Sequence, residues 1–283
     1  MSQGASHLSL LTPSYKTLTP LTNPREWFRR NPTPRGSSLV WHPSANPDLG
    51  EVETLEERPG GLALIVVLPT GSFRDGGLEA LGILERCRPH SVLPNHARPE
   101  PEDLAALLSR PPAHLSVDLV DYLLWRGVDI DSDTRHLIRR SVELSHKVKT
   151  TTALARGLYL SRRAFGRRMK NQGLPVPSHW LQFSRVLRAT IKLQNSSDSL
   201  YKVGTAMGYP DGFTLSNQMM RLTGVRPSEA RALLGWEWLV ESWLRREQQD
   251  GRLARPLLKP EPDCVASYGI EGERTTDPAK LSR

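Results

Sequence analysis

The second half of the chain is a long series of short amphipathic segments, and this feature limits the fold more than any other. From residue 133 to about residue 243, apolar side chains recur at helical spacing and short turns separate the segments. The segment LSVDLVDYLLWRG just before them has the same spacing, and Asp131, Ser132 or Asp133 can cap the helix that follows. The sequence therefore predicts a mainly α chain.

One of these segments, LSRRAFGRRMK at residues 160–170, contains five cations and no acid. On a helix with 100° between residues, Phe165 and Met169 lie on one face. The opposite face and its flanks carry Arg162, Arg163, Gly166, Arg167, Arg168 and Lys170. A solvated helix normally includes acids that pair at i and i+4. The pattern therefore indicates a helix that packs on one side and presents cations on the other.

A short helix, a turn and a second helix follow one another at two places in this region. A short helix, TTALARGLYL, and a turn precede the basic helix, which Ser161 can cap. A second short helix, a turn at Gly208 and a further helix follow at residues 203–220. Between them, residues 177–194 predict one helix of about 27 Å, near the ~34 Å between successive major grooves on one face of DNA. The spacing predicts two helix-turn-helix units held by one spacer.

Positive charge is concentrated in the same region. Residues 149–231 contain 14 lysines and arginines against three acids, a balance of +11. Because the whole chain has a net charge of +8, the remaining residues carry −3. A basic segment on an otherwise slightly acidic chain indicates a polyanion partner for that segment alone, with a solvated basic surface as the alternative.

Three stretches contain further motifs: LARGLYLSRRAFGRRMKNQG, SHWLQFSRVLRATIKL and VGTAMGYPDGFTLSNQMMRLTGVRPSEAR. Through them, residues 133–231 resemble the AraC/XylS type of bacterial transcription regulator. Gly208 and Tyr209 stand at that family's Gly-aromatic turn, and GVRPSEAR resembles its G-x-x-P-x-x-x-R ending. Arg185 and Ala189 match its R-L-x-x-A pattern. The resemblance implies a monomeric module with two helix-turn-helix units on one face of double-stranded DNA.

The resemblance also implies which residues contact DNA. Bases would be read by Arg162, Arg163, Gly166 and Arg167 in the first unit and by Asp211, Gly212, Phe213, Thr214 and Asn217 in the second. Arg163 and Arg167 are the candidates for guanine, the commonest specific partner of arginine. Phosphate contacts, which position without specifying, are expected from Arg168, Lys170, Lys202 and Arg221.

Several positions depart from the family pattern. Tyr159 occupies a turn position where glycine is usual, and Gly166 leaves a gap where a base-reading side chain often stands. Asn217 replaces the usual Arg, and Met220 the usual Lys. The second unit is therefore less cationic than the first, and we expect the first unit to dominate the affinity for DNA.

Four regions are expected along the chain. Residues 1–36, rich in Ser, Thr and Pro, predict a disordered arm. Residues 37–132 predict a small α/β regulatory or interaction domain, with strands in GLALIVVLP and HSVLP and helices in LEALGILERC and PEDLAALLSR. Residues 133–245 predict the DNA-binding domain, and residues 246–283 a disordered tail.

No catalytic or metal-binding constellation is recognised. The spacing of Cys87, His90 and His96 matches no usual site and lacks a fourth ligand. The alternating Asp129, Asp131 and Asp133 are better explained by helix capping than by calcium. We therefore expect no cofactor, no metal and no enzymatic activity.

The sequence predicts a sequence-specific bacterial transcription regulator of the cytoplasm, located at the nucleoid. Its two distant cysteines indicate a reducing compartment, and no apolar run is long enough for a membrane span. RNA polymerase and a second copy of the chain are further candidate partners, and the effector is unknown. The alternatives are a general nucleoid DNA-binding protein and a small-molecule sensor or enzyme with an accessory basic domain.

Overall fold

The computed structural model describes residues 6–31, 33–44, 47–68, 77–94 and 99–254 of the 283-residue chain. Within these ranges it has one five-stranded sheet, in the first half, and thirteen helices. The mainly α fold with a small α/β part at the N-terminal end is confirmed.

The sheet has the strand order β2-β1-β3-β4-β5. The strand β1 pairs antiparallel with both β2 and β3, whereas β3, β4 and β5 are parallel. In the register, Leu10 lies opposite Leu39, and Val40 lies opposite Ile65. The strands are β1 His7–Leu11, β2 Leu18–Leu21, β3 Ser38–His42, β4 Ala63–Val67 and β5 Ser91–Leu93.

Helices cover both faces of this sheet, which explains the continuous apolar sequence ALIVV of β4. Because successive side chains point to opposite faces, Leu64 and Val66 pack with Leu55 of α2 in one core, and Ile65 packs with Leu104 of α4 in the other. The helices of this part are α1 Pro24–Arg30, α2 Leu49–Glu56, α3 Gly77–Cys87 and α4 Pro101–Ser109.

The expected disordered arm at residues 1–36 is wrong for the part that the structure describes. Residues 7–30 contain β1, β2 and α1, and β1 lies inside the sheet between β2 and β3. Leu8, Leu10 and Leu11 are buried there. Backbone pairing with β3 stabilises a segment whose Ser, Thr and Pro content alone indicated disorder, and residues 1–5 lie outside the described ranges.

The second half is a helical bundle around α9, which contacts α6 to α8 and α10 to α13. Phe183 of α9 stacks on Trp243 of α13 with 4.1 Å between ring centroids, and Trp180 meets the same ring edge-on. The helices are α5 Leu115–Trp125, α6 Ser132–Leu144, α7 Thr151–Gly157, α8 Arg162–Asn171, α9 Pro177–Gln194, α10 Leu200–Ala206, α11 Gly212–Thr223, α12 Pro227–Ala232 and α13 Glu237–Gln249.

The packing of the helices continues across two of the expected domain limits, at residue 133 and at residue 246. Leu119 and Leu123 of α5 belong to the same core as the bundle, so a boundary at residue 133 would cut through that core. At the other end, α13 runs past residue 246, and the N–H of Ala254 still donates to the carbonyl of Gly173 at 2.9 Å. The remainder of the expected tail, residues 255–283, lies outside the described ranges.

A buried ionic group joins the sheet region to the bundle. The Arg126 guanidinium donates from Nε and Nη2 to the two oxygens of Glu241 at 2.8 and 2.7 Å. The Tyr122 hydroxyl donates to Glu241 at 3.0 Å and accepts from the Gly61 N–H at 2.8 Å. Burial and the nearby Glu241 charge raise the pKa of Tyr122 well above its ordinary value. The carboxylate thus ties α5 to α13, and the Tyr122 hydroxyl extends this contact to Gly61 before β4.

A second buried pair joins His90, next to β5, to Glu237 at the start of α13, with 2.8 Å between Nδ1 and Oε1. Burial disfavours the charge on both groups, yet their mutual attraction outweighs it. The pKa of His90 is raised, and the pKa of Glu237 is lowered to about 2. Each group thus favours the charged form of the other, and the pair fixes the start of α13 against the sheet region.

Candidate nucleic-acid interface

The first helix pair, α7 and α8, is formed by two capped helices and a tight turn. The Thr150 hydroxyl accepts from the Ala153 N–H at 3.1 Å, and the Ser161 hydroxyl accepts from the Ala164 N–H at 3.1 Å. These caps satisfy orphan backbone donors and fix the start of each helix. Between the helices, Tyr159 has a φ of 57°, and its side chain is 96% exposed.

The helix α8 has the two faces that its sequence predicts. Phe165 and Met169 are buried in the bundle core. The exposed cations of the helix are Arg162, Arg163, Arg167 and Lys170. Among the described residues, no carboxylate pairs with any of these four side chains. A Cβ atom added at Gly166 would meet no other atom within 4 Å, so packing within the protein does not require glycine there.

Arg168 differs from its neighbours on α8 because it is tied to α6. Its Nη2 donates to Asp131 and to Asp133 at 3.0 Å each, and its Nε donates to the Thr134 hydroxyl at 3.2 Å. The hydrogen bond to Asp131 is the main cause of the raised pKa of Arg168. Asp131 also caps α6 by accepting from the Thr134 N–H at 2.7 Å, which confirms capping as its role.

The second helix pair, α10 and α11, has the same form but different chemistry. Ser199 caps α10, and Asp211 caps α11 by accepting from the Thr214 N–H at 2.7 Å. This backbone hydrogen bond lowers the pKa of Asp211. Gly212 is buried, and a Cβ atom there would lie 3.0 Å from the backbone nitrogen of Tyr201. Asp211 and Gly212 therefore shape the turn.

The outer surface of α11 is less cationic than that of α8. Phe213 is 75% exposed and Asn217 is exposed, whereas Thr214 is half-buried. Arg221, near the end of α11, donates to Oε1 of Gln182 at 2.7 Å. On α10, Lys202 pairs with Asp198 at 2.6 Å, and this hydrogen bond lowers the pKa of Asp198.

The residues that carry the sequence motif in the spacer and at its end serve the packing. Arg185 of α9 donates to the carbonyl of Met207 at 2.8 Å and lies 4.3 Å above the ring of Tyr209. Arg231 donates to the carbonyls of Leu193, Ser196 and Asp198. These contacts join α9 to α10 and α12. The motif thus fixes where α10 and α11 stand on the spacer.

Tyr201 is a surface feature that the sequence analysis missed. It is 64% exposed on α10, and its backbone lies against Gly212 at the start of α11, next to the exposed Phe213. The signal in the sequence was its place directly before Lys202. Exposed large aromatic side chains therefore accompany both helix pairs.

Other candidate sites receive no support from the described residues. No group of three or more His, Cys, Asp and Glu side chains that could hold a metal ion occurs there. Cys87 is buried and His90 pairs with Glu237, while His96 and Cys264 lie outside the described ranges. No helix in the described part of the chain is long and apolar enough to cross a membrane.

Comparison with known proteins identifies this region. Residues 154–232 match a family model described as a helix-turn-helix domain. No curated protein sequence matches the chain. The chain is similar to the crystal structure of a transcriptional regulator from Chromobacterium violaceum, of the AraC-type DNA-binding domain-containing proteins. The identity is 26%, over 36% of this chain and 95% of that one, with a TM-score of 0.33.

Two longer regulators are similar at lower sequence identity. CdpR from Pseudomonas aeruginosa is 20% identical over 61% of this chain, with a TM-score of 0.32. The xylose-binding transcription activator xylR is 11% identical over 68% of this chain, with a TM-score of 0.35. The chain spans little more than half of these two proteins, 56% and 60% respectively.

The family match and the two capped helix pairs define the class. The chain thus has a helix-turn-helix domain, which supports a DNA-binding transcription regulator. More particularly, its C-terminal half contains an AraC-type helix-turn-helix domain, as the resemblance predicted. A domain of this type supports binding to double-stranded DNA.

Proposed function

We propose that the protein binds specific duplex sequences by placing α8 and α11 in successive segments of the major groove. The observation that carries this proposal is the outer face of α8. Arg162, Arg163, Arg167 and Lys170 are exposed there with no carboxylate partner among the described residues, opposite the buried Phe165 and Met169. Cations held in this way attract phosphate and leave guanidinium groups available for bases.

Within this proposal the residues divide by their surroundings. Arg162, Arg163 and Arg167 read bases, with Gly166 leaving room for close approach of the DNA. In the second unit Phe213, Thr214 and Asn217 face the groove, while Asp211 and Gly212 act through the shape of the turn. Phosphate is contacted by Lys170, Lys202, Arg168 and Arg221. The last three leave their partners in the protein, Asp198, Asp131 and Gln182 respectively, to bind phosphate.

The spacer makes the proposal testable through the DNA. A duplex should first be selected from random sequences with the wild-type protein, and its two protected segments located by footprinting. Because α9 sets a fixed separation of the helix pairs, inserting either 5 or 10 base pairs between the segments should lower affinity on the order of 100-fold. Gel-shift titration measures this. Unchanged affinity for both insertions would show that only one helix pair binds.

Tyr159 is a further candidate for the interface, because its backbone conformation is unfavourable and its side chain is almost fully exposed. A left-handed conformation costs a non-glycine residue about 1–2 kcal/mol. A strained backbone at an exposed turn indicates a functional role. We therefore include Tyr159 in the interface, with its hydroxyl donating to a phosphate oxygen beside α8.

This role predicts opposite effects of one substitution on stability and on binding. Tyr159→Gly should raise the free energy of unfolding by roughly 0.5–1 kcal/mol, since the relief of strain exceeds the added flexibility of glycine. It should also weaken DNA binding roughly tenfold, the low end for a hydrogen bond to a charged group, because the site is exposed. Urea unfolding and gel-shift titration measure the two quantities.

Tyr159→Phe is the matched control, because it keeps the ring and the strained backbone and removes only the hydroxyl. It should bind DNA as weakly as the glycine variant while unfolding like the wild type. A glycine variant that is more stable and binds DNA with wild-type affinity would contradict the contact.

A further inference from the structure

A cavity of about 300 Å³ lies where the sheet region meets α11 and α13. Residues 33–35 and the glycines Gly60 and Gly61 form its wall on the side of the sheet region. Thr223 and Gly224, at the end of α11, and one face of α13 form the other wall. Ligand sites in proteins usually measure about 300–1,000 Å³. The cavity is therefore large enough for a small metabolite.

The wall of this cavity is cationic. Of the described residues that line it, Arg35, Arg245 and Arg246 are cationic and Glu241 is the one carboxylate. The charge of Glu241 is largely balanced by Arg126, whose two nitrogens lie 2.7 and 2.8 Å from its oxygens, whereas Arg245 approaches it only to 3.7 Å. Arg35 meets Glu229 at 3.4 Å, at the exposed rim. The lining carboxylate is thus engaged mainly by Arg126 and not by Arg246.

Arg246 is the central cation of the wall. It is half-buried, and its Nη1 would lie 2.7 Å from a Cβ atom at Gly224, so it covers the last turn of α11. In the described ranges no carboxylate pairs with it. The carbonyl groups at the end of α11 offset part of its charge. They cannot form the planar two-bond contact that a guanidinium makes with an oxyanion.

We propose that this cavity binds a small organic anion through its carboxylate or phosphate group, held by Arg246 from α13 and Arg35 from the opposite wall. Guanidinium forks suit both oxyanions. A bound anion would draw residues 33–35 towards the end of α11. If α11 enters DNA, as the proposed function states, binding of the anion and of DNA are coupled, and each changes the affinity for the other by the same factor.

Binding of the anion is tested on the full chain without DNA, so the result does not depend on the proposed function. The probes are malonate and inorganic phosphate, titrated at constant ionic strength while the midpoint of thermal unfolding is followed. At least one should raise the midpoint in a saturable way. Malonamide, a neutral analogue of malonate, should not. Comparing the two anions distinguishes a carboxylate site from a phosphate site.

Two substitutions on opposite walls locate the site. Arg246→Gln and Arg35→Gln should each weaken the apparent affinity for the active anion by roughly tenfold or more, since each removes a charged hydrogen-bond donor. Arg163→Gln, on the outer face of α8, should leave it unchanged. The proposal is overturned if neither anion gives saturable stabilisation, or if both cavity variants respond like the wild type. Equal weakening in Arg163→Gln would place the anion on the DNA-binding surface and overturn it as well.

Discussion

Replacing Arg163 or Arg167 by alanine should weaken binding to the selected duplex by roughly 5- to 150-fold, the equivalent of about 1–3 kcal/mol for a lost base contact. Both side chains are exposed on the outer face of α8, and no described carboxylate pairs with them. Gel-shift titrations on the selected duplex and on a random duplex of equal length measure the effect.

The ratio of the two affinities separates base contacts from phosphate contacts. A base contact that is lost lowers affinity for the selected duplex much more than for the random one, whereas a lost phosphate contact lowers both alike. Arg140→Ala is a matched control, because Arg140 is an exposed arginine on α6 that pairs with Glu143 at 2.5 Å. It should change neither affinity. Equal losses on both duplexes for Arg163→Ala and Arg167→Ala would favour a general nucleoid DNA-binding protein.

Arg168 shows where the sequence stops being informative. By position it belongs with the other cations of α8, and the sequence gives no reason to separate it from Arg167. In the structure Asp131 and Asp133, more than thirty residues earlier, hold it against α6. Helix periodicity is local and predicts which face of α8 is exposed. It does not predict which distant side chain lies opposite that face.

The same distinction applies to the fold. The capped helices α8 and α11 could be predicted because caps and apolar spacing lie within about a dozen residues. The strand β1 could not, because its stability comes from pairing with β3, about thirty residues later in the chain. The Ser, Thr and Pro content of residues 1–36, which include β1, indicated disorder instead. The cavity under α11 likewise requires residues 33–35 and α13 to meet, which only the folded chain shows.

The buried pair of Arg126 and Glu241, next to the contact between the two halves of the chain, gives the largest expected effect on stability. In Glu241→Ala, the Arg126 guanidinium, whose side chain is 0% exposed, would lose the carboxylate that balances its charge. Breaking a buried ion pair from one side typically costs about 3–5 kcal/mol. The Tyr122 hydroxyl loses its acceptor as well. We therefore expect the free energy of unfolding, measured by urea titration, to fall by about that amount.

Two further variants show whether the loss of stability comes from the buried charge of Arg126 after Glu241 is removed. Glu143→Ala removes the carboxylate that pairs with the exposed Arg140 and accepts from the Ser116 hydroxyl at 3.3 Å, and it should cost about 1–2 kcal/mol. The double substitution of Arg126→Met with Glu241→Leu removes both buried charges, and it should recover much of the stability lost in Glu241→Ala. A Glu241→Ala protein as stable as Glu143→Ala would contradict the buried pair. A double variant less stable than Glu241→Ala would show that stability depends on the hydrogen bonds among Tyr122, Arg126 and Glu241, and not on the balance of the Arg126 charge.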